Sequence, residues 1–288
     1  MTTLPIAPEN AAYASCLRQA RRHYENFPVA SILLPRALRR PVAAIYAYAR
    51  SADDIADEGD LDSSTRLALL DSYRRNLESI EHGDTPTAVL FVALADTIRV
   101  HALPLEPFYD LLAAFRQDVV KTRYTDFDEL LQYCRLSANP VGRLLLRLFR
   151  CDSDTNVALS DAVCTGLQLT NFLQDVCADI ERGRIYLPQD ALHAHAVAQD
   201  DIPARRFGPG WQRLIHGEIE RARCLLLSGA RLGSNLTGRF GLEIRLTIAG
   251  GLTILDKLQA INRVRFITGT RLTPLDWLPV LWRSHGIR

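Results

Sequence analysis

The chain has 288 residues, 48% of them hydrophobic and 23% charged, with a formal net charge of +1. Such a balance suits a globular protein with a sizeable core and excludes disordered, collagen-like and coiled-coil classes. The near-neutral total argues against a nucleic-acid binder held by bulk charge.

Met1-Thr-Thr-Leu-Pro5 has neither a basic start nor a long apolar stretch, so no signal peptide is expected. Proline is absent between Pro41 and Pro86, between Pro140 and Pro188, and between Pro209 and Pro274. Those gaps are rich in Ala, Leu, Arg, Glu and Gln, and long helices can run in them. Strand alternation bounded by Asn-Gly or Asp-Gly turns is missing. The expectation is an all-α protein of roughly eight to ten helices, in a single domain spanning residues 1–288. No uncharged run is long enough to span a membrane.

The first informative element is Arg50-Ser-Ala-Asp53-Asp54-Ile-Ala-Asp57-Glu58. Asp53 and Asp57 are i and i+4, and Asp54 and Asp57 are i and i+3, so one helix face carries three carboxylates. Crowded like charges destabilise a helix, and Arg50, three residues before Asp53, is the counter-charge in reach. Tyr46 extends the same face backwards. Ala43, Ala44, Ile45, Ala47 and Ala49 surround it, which suggests a lined cavity rather than open solvent.

Breaks are expected at Gly83-Asp-Thr-Pro86 and at Leu103-Pro104. Lys121-Thr-Arg123-Tyr124, read as a surface feature, precedes a helix capped by Thr125 or Asp126. Tyr133-Cys134 lies in that helix, and Tyr133 taken by itself reads as a core tyrosine. Asn139-Pro140 marks a local break. Val141, Leu144, Leu145 and Leu148 then follow the helical period.

The second acidic element is Gln168-Leu-Thr-Asn171-Phe-Leu-Gln-Asp175-Val-Cys-Ala-Asp179. Gln168, Asn171, Asp175 and Asp179 fall at i, i+3, i+7 and i+11, again one helix face. Glu181-Arg-Gly-Arg184-Ile-Tyr186-Leu-Pro188 follows directly. Residues 188–210, with three prolines, read as a loop; His193 and His195 within it lack a third ligand for zinc. Residues 211–226 regain the helical period. Arg239, Glu243 and Arg245 read as a salt-bridged helix face. Residues 201–288 carry 14 Lys/Arg against 6 Asp/Glu, a net of +8. That basic third suits an anionic ligand or lipid surface, and equally a solvated basic face. The six cysteines form no C-x-x-C pair and read as small core residues in a reducing compartment.

One acidic helix face alone reads most simply as solvated. Two such faces, each in an apolar helix and one followed by Arg-x-Arg, suit hard cations if they face each other. Mg²⁺ is usually held by one or two carboxylates, with water and substrate phosphates completing its shell. Arginines beside it would take remaining phosphate oxygens. The chemistry supported is departure of diphosphate.

At these residues the chain resembles the squalene/phytoene synthase family of head-to-head isoprenoid synthases. The resemblance rests on Ala44 to Asp57, on Asp128-Glu-Leu-Leu-Gln-Tyr133-Cys134 leading to Gly142, on Gln168 to Asp179, and on Gly183-Arg-Ile-Tyr-Leu-Pro188. It implies an isoprenoid-synthase fold with a central cavity and Mg²⁺-dependent ionisation of a prenyl diphosphate. It further implies that Asp53, Asp54, Asp57, Asp175 and Asp179 bind Mg²⁺ with the diphosphate, with Asn171 in the metal set. Tyr46, Arg50, Gln168, Arg184 and Tyr186 would contact substrate, and Tyr133 would sit near the diphosphate or the cation.

Several positions depart from the family pattern. A Ser-rich diphosphate contact is replaced by His23-Tyr24-Glu25-Asn26-Phe27-Pro28, which makes His23 and Phe27 candidate substrate contacts; a lone histidine reads as readily as structural. Gln174 stands where many members carry arginine. A tyrosine of the late cavity helix aligns with Gly251, which would leave room for water, held by Asn139 or Tyr133. These features, with Ser137-Ala-Asn-Pro-Val-Gly142 and Asp276-Trp277, are most similar to the hydroxysqualene-forming branch. That branch implies a carbon–oxygen lyase converting presqualene diphosphate and water to hydroxysqualene, with no NADPH and no nucleic acid involved, in the cytoplasm and with peripheral attachment to a membrane. Members that join two farnesyl diphosphates are the alternative, and a non-catalytic lipid-binding helical protein is the non-enzyme alternative.

Overall fold

The computed structural model describes residues 8–22, 33–260 and 270–287. Within them are thirteen α-helices and no strand; an isolated bridge joins Arg123 and Ile185. The helix total exceeds the sequence expectation because short helices, down to the four residues of Leu232–Asn235, give no periodic signal. The chain forms two compact units, residues 1–120 with 144–151, and residues 121–143 with 152–288.

The first unit holds α1 (Pro8–Arg22), α2 (Arg39–Asp57), α3 (Ser63–Glu81), α4 (Val89–His101) and α5 (Glu106–Val120). The breaks between α3 and α4 and between α4 and α5 fall where Gly83–Pro86 and Leu103-Pro104 predict them. Helix α2 packs against α1, α3, α4 and α5. Ala43, Ala44, Ala47 and Ala52 on its inner faces are fully buried, and such small side chains let neighbouring helices approach closely. Tyr48 fills the centre. Its ring meets Phe91 and Phe108 edge-on, and its hydroxyl donates to the Phe108 carbonyl at 2.9 Å. A buried tyrosine normally finds such a partner.

The C-terminal end of α2 is held from outside. Arg66 of α3 donates to the carbonyls of Ile55 (2.6 Å), Glu58 (3.0 Å), Gly59 (2.6 Å) and Leu61 (2.9 Å). These carbonyls lie at and beyond the last turn of α2, where helix carbonyls lose their own partners and the helix dipole favours a cation.

The second unit holds α6 (Phe127–Ser137), α8 (Asp154–Glu181), α9 (Gln189–Ala194), α10 (Pro209–Ser228), α11 (Leu232–Asn235), α12 (Gly238–Ala260) and α13 (Trp277–Gly286). Helix α7 (Asn139–Leu148) counts with this unit up to Arg143 and with the first from Leu144. Of the two candidate caps of α6, Asp126 does the work, accepting from Glu129 N at 2.8 Å. The break at Asn139-Pro140 is real: α6 ends at Ser137 and α7 starts at Asn139, so Pro140 sits in a first turn, where its missing N–H costs nothing. Helix α8 packs on α6, α10, α11 and α12. Leu169, Phe172, Leu173 and Val176 of α8 are buried, as are Leu214, Ile219 and Leu226 of α10, each such side chain contributing about 1.5–3 kcal/mol.

Two sequence expectations are corrected here. Residues 188–210 are not a plain loop: α9 and a 3-10 turn at Gln199–Asp201 lie in them, with His193 in α9 and His195 as its cap. Local hydrogen bonding of short helices outweighed the proline count. All six cysteines are free and Cys16 and Cys134 are buried, but Cys224 is exposed; its place on α10 falls outside the stripe of buried residues. Arg245 of α12 also donates to the carbonyl of Gly233 at 2.6 Å. Among the described residues no helix is long and apolar enough to cross a membrane.

Candidate active site

In the first unit Tyr46, Arg50, Asp53, Asp54 and Asp57 share α2. Arg50 is the counter-charge that the spacing demanded. Its Nη1 lies 3.4 Å from Asp53 Oδ2, its Nε 2.7 Å from Asp54 Oδ1, and its Nη2 2.8 Å from Glu58 Oε1. One guanidinium thus serves two acids of its own helix and a third just past its end. The Asp53 carboxyl is pushed up to about 7, first by burial and then by the charge of Asp57; Arg50 opposes this, while Asp118 and Asp54 add to it. Its side chain still keeps 39% of its surface open, so an ion or water reaches it.

Asp118 of α5 was not singled out from the sequence. It is a buried acid close enough to raise the Asp53 carboxyl. The available signal was a lone carboxylate in the mostly apolar stretch from Leu111 to Val120, just after Arg116 and Gln117.

The donor chemistry of this cluster suits a hard cation: the acids are all oxygen donors, and the negative charge crowded round Asp53 is what a divalent ion would relieve. Among the described residues no three acids, histidines or cysteines converge as a ready cage.

In the second unit Gln168, Asn171, Asp175 and Asp179 share one face of α8, Asp175 exposed and the others half-buried. Beyond the helix end the chain turns back. Gly183 adopts φ +77, a left-handed conformation that costs a glycine little. Arg184 N donates to Asp179 O at 2.8 Å, and Ile185 N and Gln189 N donate to Thr122 O and Tyr124 O at 3.0 and 2.9 Å. Arg123, expected as a surface feature, clamps the same strap through the Gly183 carbonyl at 2.7 Å. The strap buries Arg184 and lays Tyr186 flat on Phe172, ring centroids 4.0 Å apart and planes 7° from parallel.

Tyr133 joins this aromatic cluster with Tyr124, Phe172 and Tyr186. It is 4% exposed, the surroundings of a core residue.

Other expectations resolve differently. Gln174, in the place of a family arginine, donates to the Thr270 carbonyl at 2.5 Å and so ties α8 to the C-terminal segment. The room expected at Gly251 is absent. A Cβ there would stand 3.0 Å from Leu167 Cδ2 and 3.1 Å from Leu226 Cδ1, so the glycine serves close packing of α12 on α8 and α10. Asn139 is buried, and its Oδ1 accepts from Thr165 Oγ1 at 3.0 Å. Ser137 Oγ, by contrast, is buried and finds no hydrogen-bond partner among the described residues. His23 and Phe27 lie outside the described residues.

Comparison with known proteins covers the stretches that carry both acidic helices. The squalene/phytoene synthase family model matches residues 20–277. A hydroxysqualene synthase of Rhodopseudomonas palustris is 40% identical over 251 residues, covering 85% of this chain and 84% of its own. A 15-cis-phytoene synthase of Synechocystis is 32% identical, covering 96% of this chain and 86% of its own. Among solved structures, squalene synthase HpnC of Alicyclobacillus acidocaldarius superposes with a TM-score of 0.82 at 40% identity, covering 88% of this chain and 95% of that one.

Proposed function

This chain belongs to the squalene/phytoene synthase family, enzymes of isoprenoid biosynthesis with an all-α isoprenoid-synthase fold, and from that membership we propose that it converts presqualene diphosphate and water to hydroxysqualene and diphosphate. The observation that carries this reading is the 40% identity to a hydroxysqualene synthase over most of both chains.

In this reading Asp53, Asp57, Asn171, Asp175 and Asp179 hold Mg²⁺, with Asp54 beside them. Bound Mg²⁺ would supply charge stabilisation for the departing diphosphate. Arg50 pairs with Asp53 and Asp54 and holds them in place on α2. Arg184 and Tyr46 contact the diphosphate end of the substrate, along with Gln168. Tyr186 and Tyr133, buried with Phe172 and Tyr124 in one aromatic cluster, hold the strap that carries Arg184. Water capture needs a polar group in an apolar wall. Ser137 Oγ, buried and without a partner among the described residues, is the best-suited group for that water, with the Asn139 amide two residues on. Buried hydroxyls are normally satisfied, and an ordered water is the usual means. The reaction consumes no NADPH. The protein acts in the cytoplasm, attached peripherally to a membrane that supplies its long-chain substrate.

The test is incubation with presqualene diphosphate and Mg²⁺ in ¹⁸O-labelled water, followed by mass spectrometry. Labelled C30 alcohol formed without reductant is the expected product. A label-free C30 hydrocarbon, or product only when NADPH is added, would overturn the assignment. A second reading is favoured by the 32% identity to a phytoene synthase over nearly the whole chain: joining of two prenyl diphosphates. Turnover of farnesyl diphosphate alone would support that one.

A further inference from the structure

Arg184 is buried, and the chain is held on both sides of it. Ile185 N donates to the Thr122 carbonyl at 3.0 Å, and Arg123 Nη1 donates to the Gly183 carbonyl at 2.7 Å. The first bond joins two main-chain groups. The second comes from a side chain, and it acts where the strap is softest. Gly183 sits at φ +77, and a glycine loses more conformational freedom on being fixed than any other residue. Apart from its own chain neighbours, no atom of the described residues lies within 4 Å of the place a Cβ would take there, so packing does not fix it. Its N–H closes the end of α8 on the Ile180 carbonyl at 2.8 Å. Its carbonyl, on the Arg184 side, goes to Arg123.

Arg123 is itself aimed. Its Nε donates to Gln199 Oε1 at 3.0 Å, and its Nη1 also donates to the Thr122 carbonyl at 2.7 Å. A guanidinium is a rigid planar fork, so fixing Nε on one side directs Nη1 on the other. Gln199 opens the 3-10 turn Gln199–Asp201, and that turn is anchored in its own right. Ile202 next to it is 1% exposed, and Arg206 Nε lies 2.8 Å from Asp201 Oδ1. Arg205 Nη2 stands 4.0 Å from Glu181 Oε1, a second link between this segment and the end of α8. Residues 199–206, in the stretch whose prolines suggest a plain loop, thus brace the strap.

We propose that Arg123, aimed by Gln199, is a positioning residue for Arg184: it acts on the substrate's diphosphate only through the strap. The inference rests on the reading that Arg184 contacts that diphosphate. Arginine holds phosphate oxygens through directional, charge-assisted bonds, and such bonds weaken steeply when the group that carries them is displaced.

Titration calorimetry with inorganic diphosphate and Mg²⁺ tests this without any turnover. Arg184→Ala should weaken binding about thirtyfold and Arg123→Ala about tenfold. The double variant should be no weaker than Arg184→Ala, because a residue that acts through another has nothing left to position once that one is gone. Arg123→Lys, whose ammonium can still meet the Gly183 carbonyl, should bind within about threefold of wild type. Circular dichroism establishes that each variant is folded. Were Arg123→Ala unfolded, Gln199→Ala, which removes only the aim, carries the test with an expected loss of about threefold. Wild-type affinity in Arg123→Ala, or in Gln199→Ala where that variant carries the test, would overturn the inference and leave Arg123 a purely structural residue. So would Arg123→Lys as weak as Arg123→Ala. Losses that add in the double variant would show Arg123 acting on the anion by itself, and would overturn it too. Arg184→Ala that binds like wild type would overturn it together with the placing of Arg184 at the diphosphate. The expected binding pattern without turnover of presqualene diphosphate would instead support the positioning and count against the proposed reaction alone.

Discussion

Helix α2 carries the counter-charge for its own acids, whereas the basic residue grouped with the α8 acids, Arg184, stands beyond the helix end in a buried strap. Arg50 reaches Asp53, Asp54 and Glu58 within nine residues of chain. The strap of α8 is held by Thr122, Arg123 and Tyr124, some sixty residues earlier in the chain. One aspartate spacing is therefore supported in two ways: by pairing within one helix, and by tertiary hydrogen bonds and stacked rings. The first arrangement should survive damage elsewhere in its unit, and the second should depend on it.

The sharpest way to break this comparison is to remove one acid from each helix. In the proposed reading Asp53→Asn and Asp175→Asn should each lower turnover by on the order of a thousandfold, because each weakens the hold on the Mg²⁺ whose positive charge would stabilise the departing diphosphate chiefly in the transition state. Diphosphate release at saturating Mg²⁺ measures it, with circular dichroism confirming the fold. Near-normal turnover in Asp175→Asn alone would mean that only α2 serves the metal.

The next effect separates the two modes of support. Tyr186→Ala removes a buried ring stacked on Phe172 and should cost about 3–5 kcal/mol of stability, read as a lower urea midpoint. Turnover should fall with it, since Arg184 rides on the same strap. Tyr186→Phe, which keeps the stack, should recover most of the stability.

That contrast also explains what could be read from the sequence. The α2 stripe, its counter-charge and the breaks near Pro86 and Pro104 are local, fixed by spacings within one or two turns, and they were legible. So were the helical character of both acidic segments and the break at Pro140. Asp118 was missed because its neighbour Asp53 is sixty-five positions away in sequence, and no local period links them. The filled space at Gly251 could not be read either, because Leu167 and Leu226, which fill it, come from two other helices. Nor could burial of Tyr133 among three other rings, since a tyrosine in an amphipathic helix looks the same whether it lines a cavity or a core.

A smaller effect is expected at the end of α2. Arg66→Ala frees four carbonyls at once, yet the site is half-exposed and water can replace much of what is lost. The cost should be about 1–2 kcal/mol. Hydrogen exchange should report it as faster opening of the amides near Asp57, with the amides of α8 unaffected. Equal loosening of α8 would contradict the separation of the two supports.

The smallest effect sets a crowded acid against a well-supplied one. Asp53 has acids around it and its carboxyl is raised. Asp276 instead accepts from Lys257, Thr273 N and Thr273 Oγ1, and these bonds hold its carboxyl down at about 2. The sign follows from linkage: a carboxyl lowered in the folded state stabilises the protein above the unfolded value near 4, and that contribution disappears as pH falls toward 2. Because the pair lies at the surface, the gain is under about 1 kcal/mol. Asp276→Asn should therefore lower the melting temperature slightly at neutral pH, and the gap from wild type should close as pH falls from about 5 toward 3. A gap that stays constant over that range would show that Asp276 acts through its hydrogen-bonding shape alone, since the amide would then lose the same amount whether or not the carboxylate were charged.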